Sequence, residues 1–251
     1  SRYGRAEEFL RKIPKYCLEI PDERLRKYYT ARLYEKRAWI KDYEGDHKGQ
    51  VDLLEYARKP IEEIREKDRT QDEQDLLSTT DHFLARGYFG LAQQGINVTT
   101  NAYLAERLFE KDYERYQELR KLGQPRPHGE FYNLVWSARC ELITGDIEKA
   151  IQRKEAARPF IKEQEQISLS KSFGLEAHLH LVEGEIHLKV NNFVDAREEF
   201  SKAREIRRNL SPYSKGEADA CLGIAYTYLK EGKLLPAIIN GVQAVQTYSF
   251  A

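Results

Sequence analysis

The amino-acid sequence predicts an all-α fold built from stacked helix pairs. Three observations support this prediction: strand signals are nearly absent, apolar residues recur at helical spacing, and small residues recur at fixed offsets in the second half of the chain. The clearest apolar face contains Leu175, Leu179, Val182 and Ile186, spaced four, three and four residues apart. This spacing places all four side chains on one side of a helix.

Helix-breaking and helix-capping residues divide the chain into successive predicted helices. Pro21 opens one helix, and Thr70 with Glu73 forms a capping box at the start of another. Gly145 and Gly232 each end a helix in the left-handed conformation. The predicted helices span residues 5–19, 22–43, 48–67, 71–94, 99–122, 128–144, 147–165, 168–190, 193–209, 213–231 and 234–248.

The strongest interior break runs from Gly123 to Pro127 and separates two predicted regions. Residues 1–122 are predicted to hold N-terminal helix pairs with degenerate repeats, and residues 128–251 to hold C-terminal repeats. The segment between them is a candidate hinge within one continuous solenoid. The sequence contains no methionine, so we expect the chain to be a piece of a longer protein.

The charge composition favours helices with solvated faces over a nucleic-acid-binding surface. Lys+Arg and Asp+Glu each number 41 among 251 residues, so the formal net charge is zero. This balance excludes a broad cationic footprint for nucleic acid. The three cysteines are far apart and lack metal-ligand spacing, which favours a reducing compartment. No run of the sequence has the pattern of a signal segment or a membrane span, so the predicted location is the cytoplasm.

Small residues recur at fixed offsets in the second half of the chain. The recurring positions are Ala138, Gly145, Ala150 and Ala157, then Gly184, Ala196, Phe200 and Ala203, and finally Ala225, Gly232, Ala237 and Ala244. Small residues at these offsets let the two helices of a pair approach closely, and the aromatic residue fills the gap under the next pair. Residues 71–122 have a helical pattern without this signature.

This pattern resembles the tetratricopeptide repeat, which has a small residue midway along its first helix and small, large and small residues along its second. Ala157, Ala203 and Ala244 lie 46 and 41 residues apart, against about 34 in the standard unit. The chain is therefore similar to the long-unit type, of about 40 residues, found in signalling NTPases and kinesin light chains. The resemblance implies a right-handed superhelical solenoid of antiparallel helix pairs.

The resemblance also implies a binding function. We expect a non-catalytic scaffold or sensor module of a larger cytosolic regulatory or signalling protein, which binds a protein or peptide through its concave face. A regulatory domain of the same polypeptide is an alternative partner, and no membrane partner is expected. The sequence contains no Gly-rich phosphate loop, HExxH or GxSxG motif. We therefore predict no catalytic residue and no cofactor.

One polar constellation lies on a single helix face. Its members Glu176, His180, Glu183 and His187 are spaced four, three and four residues apart. Three interpretations stay open: a solvated, internally paired strip, a recognition strip for a peptide, and a metal site. The metal site would support an alternative function as a metal- or small-molecule-binding enzyme. Because all four side chains come from one helix, a closed metal shell needs a further ligand from a neighbouring helix.

Two registers are open for this helix. The apolar periodicity places the polar stripe in the gap between two packed faces, where it would line the concave groove. The repeat consensus instead places the stripe at the tight contact of the helix pair and leaves Leu181 and Leu188 on the groove. We favour the first register, because burial of an unpaired Glu183 would be costly.

The other candidate binding residues are mostly aromatic. Tyr132 and Trp136 precede Arg139 on one predicted helix, and Tyr226 lies on another. Such aromatic residues suit interfaces, with core packing as the alternative. Arg139 suits a ligand carboxylate, with an ordinary surface role as the alternative. A basic cluster supports the further alternative of a nucleic-acid-binding helical repeat and consists of Lys202, Arg204, Arg207 and Arg208.

Overall fold

The computed structural model describes residues 8, 10 and 12–250. Within this part of the chain the secondary structure is helical, with no strand, and the prediction of an all-α fold is confirmed. The helices are α1 (Pro14–Leu18), α2 (Glu23–Glu44), α3 (His47–Glu62), α4 (Gln71–Gln93), α5 (Val98–Lys121), α6 (Pro127–Thr144), α7 (Ile147–Ile167), α8 (Leu169–Lys189), α9 (Phe193–Leu210), α10 (Lys215–Lys230) and α11 (Leu234–Phe250). The predicted helix over 5–19 lies partly outside the described residues.

Local capping explains where several helices begin and end. The Thr70 hydroxyl accepts a hydrogen bond from the Glu73 N–H, and the Glu73 carboxylate accepts one from the Thr70 N–H, which confirms the predicted capping box. The Asp22 carboxylate accepts from the Leu25 N–H at the start of α2. Gly145 ends α6 with a φ of 93°, a conformation that is unfavourable for a residue with a Cβ atom.

The largest difference from the predicted boundaries is at the end of α3. The prediction continues this helix to residue 67, but the helix ends at Glu62 and a 3₁₀ turn follows at Glu66–Asp68. Pro60 lies in the last turn and removes one backbone donor. Ile61 is the last buried apolar residue of the helix, so no core contact favours further helical turns.

The chain forms two compact units, Ser1–Asp112 and Tyr113–Ala251. The boundary between them falls within α5. The segment 123–127 does interrupt the helices, between α5 and α6, whereas its predicted role as a hinge stays a prediction.

In the first unit, α2 pairs with α3, and α3 packs against α4. Ala38, Leu54 and Leu84 are fully buried in the shared core. The buried carboxylate of Asp81 on α4 forms ion pairs with Arg58 of α3, at 3.0 Å, and with Lys111 of α5, at 2.9 Å. Burial raises the pKa of Asp81, and the two cations oppose that rise. A buried charge of this kind needs such partners to remain ionised.

The second unit contains three successive helix pairs, α6–α7, α8–α9 and α10–α11. The first helices of these pairs are also neighbours, because α6 contacts α8 and α8 contacts α10. The predicted apolar face of α8 is buried against α6 and α7, as its periodicity indicates; its members are Leu175, Leu179, Val182 and Ile186. We call α6, α8 and α10 the first helices of this unit and α7, α9 and α11 its second helices.

The α8–α9 pair is closely packed at Gly184. A Cβ atom on Gly184 would lie 2.7 Å from the Phe200 ring of α9, and a Cβ atom on Gly223 of α10 would lie equally close to the same ring. Phe200 therefore fills the space between its own pair and the next one, as the repeat pattern predicts.

The last helix, α11, differs from the rest of this highly charged protein because it contains no charged residue. Its exposed apolar side chains are Leu234, Leu235, Ile238, Ile239, Val242 and Val245. No helix in the described part of the chain is both long and apolar enough to cross a membrane.

Candidate ligand-binding surface

An ion pair joins α6 to α8 in the second unit. The Arg139 guanidinium on α6 donates two hydrogen bonds to the Glu185 carboxylate on α8, at 2.5 and 2.9 Å. The guanidinium carbon also lies 4.7 Å from the centre of the Trp136 ring, one turn earlier on α6. Burial opposes the charge on Arg139, but the nearby carboxylates of Glu185 and Asp219 outweigh it and raise its pKa. Arg139 is therefore held between the Glu185 carboxylate and the Trp136 ring.

Aromatic rings make a second contact between α6 and α8. The Tyr132 ring meets the His178 ring edge-on at 4.9 Å and also contacts the His128 ring at 4.7 Å. Burial and the nearby charge of Lys171 lower the pKa of His128. His128 is therefore neutral at physiological pH and adds no positive charge to this group of rings.

On α10, Tyr226 lies seven residues after Asp219 and therefore on the same helix face. The Tyr226 ring is 44% exposed and has the Lys230 ammonium 5.2 Å from its centre. Because Asp219 is near enough to Arg139 to raise its pKa, this face of α10 continues the polar and aromatic surface of α6 and α8. We call this surface the first-helix surface; its members are Tyr132, Trp136, Arg139, His178, Glu185, Asp219 and Tyr226.

The polar stripe on α8 lies elsewhere. His180 Nδ1 is 2.6 Å from a carboxylate oxygen of Glu199 on α9, and the Glu183 carboxylate accepts from the Lys154 ammonium on α7 at 2.9 Å. The stripe therefore faces the second helices. Glu176 and His187 are half-buried, one turn to either side along the same face.

The expectation that the stripe lines the same groove as the aromatic residues is therefore wrong. Residues two positions apart on a helix point about 200° apart, so Glu183 and Glu185 lie on nearly opposite sides of α8. The apolar periodicity correctly locates two packed faces with polar residues between them. It does not say which of the two polar gaps faces the neighbouring first helices.

No protein-family model matches the chain, and no curated protein matches it in sequence. Solved structures match its fold. A Rap protein complexed with Competence and Sporulation Factor superimposes with a TM-score of 0.72 at 15% identity, over 97% of this chain and 60% of the Rap chain. The apo form of RapI gives 0.61 at 15% identity, over 98% of this chain and 92% of RapI. TPR-like repeats of a kinesin light chain from Podospora anserina give 0.50 at 14% identity, over 87% and 95%.

The fold is a tetratricopeptide-like array of helix pairs. The predicted resemblance is thereby confirmed at the level of fold, which is the level that identities of 14–15% support. This tetratricopeptide-like chain spans 60% of the length of the Rap chain that it matches.

The tetratricopeptide-like register of α8 combines both predicted registers. Gly184 contacts Phe200 of the paired helix, and His180 contacts Glu199, as the repeat consensus predicts. Leu181, however, is buried against α9 and α10 rather than exposed. The argument against burial of Glu183 does not apply, because Lys154 supplies the missing charge.

Sequence reasoning missed three members of the first-helix surface. They are His178, Glu185 and Asp219, which belong neither to the polar stripe of α8 nor to the predicted aromatic set. A signal was present, because His178 and Glu185 are seven residues apart, as are Tyr132 and Arg139. Two such seven-residue pairs on neighbouring first helices of a tetratricopeptide-like array face each other.

The basic cluster on α9 is largely engaged within the chain. The Lys202 ammonium pairs with Glu198 and Glu199, and Arg208 donates to Glu217. Arg207 donates to the backbone carbonyl of Gly174. These partners leave little net positive charge for a phosphate backbone, so the cluster gives weak support for nucleic-acid binding.

Proposed function

We propose that this protein binds a peptide, or an extended segment of a partner protein, on the first-helix surface of its second unit, without catalysis. The observation that carries the proposal is the held position of Arg139, between the Trp136 ring and the Glu185 carboxylate. A charged group fixed beside partly exposed aromatic rings is the composition of a recognition surface.

The surface combines rigid anchors with polar groups of both signs. Tyr132 and Trp136 are half-buried, so part of each ring is available to an apolar side chain of a ligand. Aromatic anchors lose little conformational entropy on binding, because they have only two side-chain torsions. Arg139, Glu185 and Asp219 offer donors and acceptors that fix the register of a bound chain. Affinity would therefore come from the rings, and specificity from the charges.

The similarity to the Rap protein supports a peptide as the ligand, because that protein is complexed with Competence and Sporulation Factor. By analogy with that protein, we propose a scaffold or sensor role within a larger regulatory protein. Cys17, Cys140 and Cys221 are buried and unbridged, which supports the proposed cytosolic location.

The experiment is a selection followed by mutagenesis. A phage-displayed library of random peptides is panned on the purified chain, and the selected peptides are labelled and titrated by fluorescence anisotropy. Trp136→Ala and Tyr226→Ala should each raise the dissociation constant at least tenfold, because each removes an aromatic anchor. Arg139→Lys keeps the charge but loses the two-point geometry, and should weaken peptides with an acidic residue more than others.

The matched control is Tyr103→Ala on α5. Tyr103 is 56% exposed, against 44% for Tyr226, so it tests the loss of an exposed tyrosine away from the proposed surface. Its variant should bind as the unmodified chain does. Selected peptides that bind Trp136→Ala and Tyr226→Ala with unchanged affinity would place the binding site elsewhere and contradict the proposal.

A further inference from the structure

Two residues of the polar stripe on α8 lie close to a third possible metal ligand on the neighbouring helix α9. Ligand atoms of His180, Glu183 and Glu199 all lie within 4.8 Å of one another, and no other group of three such side chains occurs in the described residues. His180 and Glu183 lie on one helix, so a complete metal shell needs a further ligand from a neighbouring helix. Glu199 on α9 supplies that ligand.

The three candidate metal ligands lie beside the close contact between α8 and α9. Glu183 immediately precedes Gly184, and Glu199 immediately precedes Phe200, and these two following residues form the close contact of α8 with α9. Donors on packed helices are held more firmly than donors on loops. The relative position of the imidazole and the two carboxylates is therefore set by the core of the pair.

Each of the two carboxylates accepts a hydrogen bond from a lysine. Lys154 donates to Glu183 at 2.9 Å and Lys202 donates to Glu199 at 2.7 Å. Outer partners of this kind orient ligating carboxylates in metal sites.

The charged side chains at this site have a net negative charge, which favours the binding of a cation. The two lysines also pair with Glu155 and Glu198, and Arg158 pairs with Glu155 and approaches Glu183. Four carboxylates thus face three cationic side chains, so this set carries one net negative charge before any ion binds. His180, Glu183 and Glu199 are 22%, 25% and 13% exposed, so all three side chains are partly accessible to solvent.

We propose that His180, Glu183 and Glu199 bind one zinc ion, which joins α8 to α9 and keeps a fourth position for water. One imidazole and two carboxylates form a three-ligand set of the kind that zinc accepts, whereas magnesium and calcium prefer shells made only of oxygen. Ligand atoms around tetrahedral zinc stand about 3.3 Å apart. The His180–Glu199 hydrogen bond of 2.6 Å would open slightly as the ring proton moves from Nδ1 to Nε2 and the Nδ1 lone pair takes the ion.

The site is independent of peptide binding, because it lies on the other side of α8 from the first-helix surface. The test uses the full chain, freed of metal with a chelator and titrated calorimetrically with zinc sulfate at neutral pH. We expect one ion per chain, and a thermal midpoint that rises by several degrees with zinc and not with magnesium. Glu199→Gln and His180→Asn should each weaken zinc binding at least tenfold.

The matched control is His187→Asn, which changes a histidine of the same stripe that does not belong to the three-donor set. It should bind zinc as the unmodified chain does, and loss of binding in this variant alone would overturn the cross-helix site. Cobalt(II) titration of the unmodified chain supplies a measurement that needs no variant. Strong visible absorption typical of tetrahedral cobalt supports the site, and absence of both that absorption and zinc uptake overturns it.

Discussion

The Glu185 carboxylate on α8 accepts two hydrogen bonds from the Arg139 guanidinium on α6, across the contact between two first helices. The two side chains are unequally exposed, at 11% for Arg139 and 28% for Glu185. The loss of stability should therefore differ between removal of Arg139 and removal of Glu185, because the charge left behind is hydrated to a different degree.

Glu185→Gln should destabilise the protein more than Arg139→Met. The first variant leaves a largely buried guanidinium that cannot lose its proton, and we expect a loss of about 2 kcal/mol. The second leaves a carboxylate that water can reach, and we expect about 1 kcal/mol. Urea unfolding followed by circular dichroism measures both. Glu205→Gln, at an exposed position of α9, is the control and should change stability little; an equal cost for both test variants would contradict the explanation from burial.

Substitution of glycine by alanine should destabilise the protein at two positions that contact Phe200 and stabilise it at a third position with open space around it. Gly184→Ala and Gly223→Ala place a Cβ atom 2.7 Å from the Phe200 ring, so each should cost about 1–3 kcal/mol through overpacking. Gly241→Ala on α11 meets no atom within 4 Å, and should gain up to about 1 kcal/mol from helix propensity. Thermal unfolding of the three variants checks the prediction. Equal stabilities would mean that the α9 ring moves aside freely.

A buried carboxylate in the second unit predicts strong coupling between two residues. Glu130 is fully buried and accepts two hydrogen bonds from Arg120 at 2.6 Å, together with one from Gln117. Arg120→Met leaves this charge without its cation and should cost about 3 kcal/mol. The double variant Arg120→Met/Glu130→Met should recover part of that loss. Additive costs in a double-mutant cycle would show that the pair does not act as a unit.

The capping box of α4 predicts a pH dependence. The hydrogen bond from Arg24, together with those at Thr70, lowers the pKa of Glu73 to about 2 against the opposing effect of burial. A lowered pKa gives stability that is fully present above the ordinary glutamate pKa and is lost as the pH falls towards 2. Glu73→Gln keeps the capping-box geometry but removes this charge.

This variant should be less stable than the unmodified chain at pH 7 and should match it near pH 2. Thermal midpoints measured across that pH range test the difference, and the other carboxylates titrate in both proteins alike. A stability difference that stays constant with pH would show that Arg24 does not hold the Glu73 charge.

The helices were predictable from sequence because their determinants are local. The capping box at Thr70 and the left-handed end at Gly145 act within a few residues, so the sequence that contains them also positions the helix ends. The buried face of α8 was predictable for a similar reason, because Leu175 and Leu179 repeat with the period of the helix itself. The alternation of small residues also indicated the close contact at Gly184.

The sequence by itself determined the all-α class, most of the helix bounds and the tetratricopeptide-like pairing, since these depend on caps, periodicity and the spacing of small residues. Only the tertiary structure decided which polar side of α8 meets which neighbour. Arg139 and Glu185 are 46 residues apart, and His180 and Glu199 are 19 apart, so neither contact follows from a helical period. A helix packed on two sides has two polar gaps with the same composition, and only the packing of the adjacent helices distinguishes them.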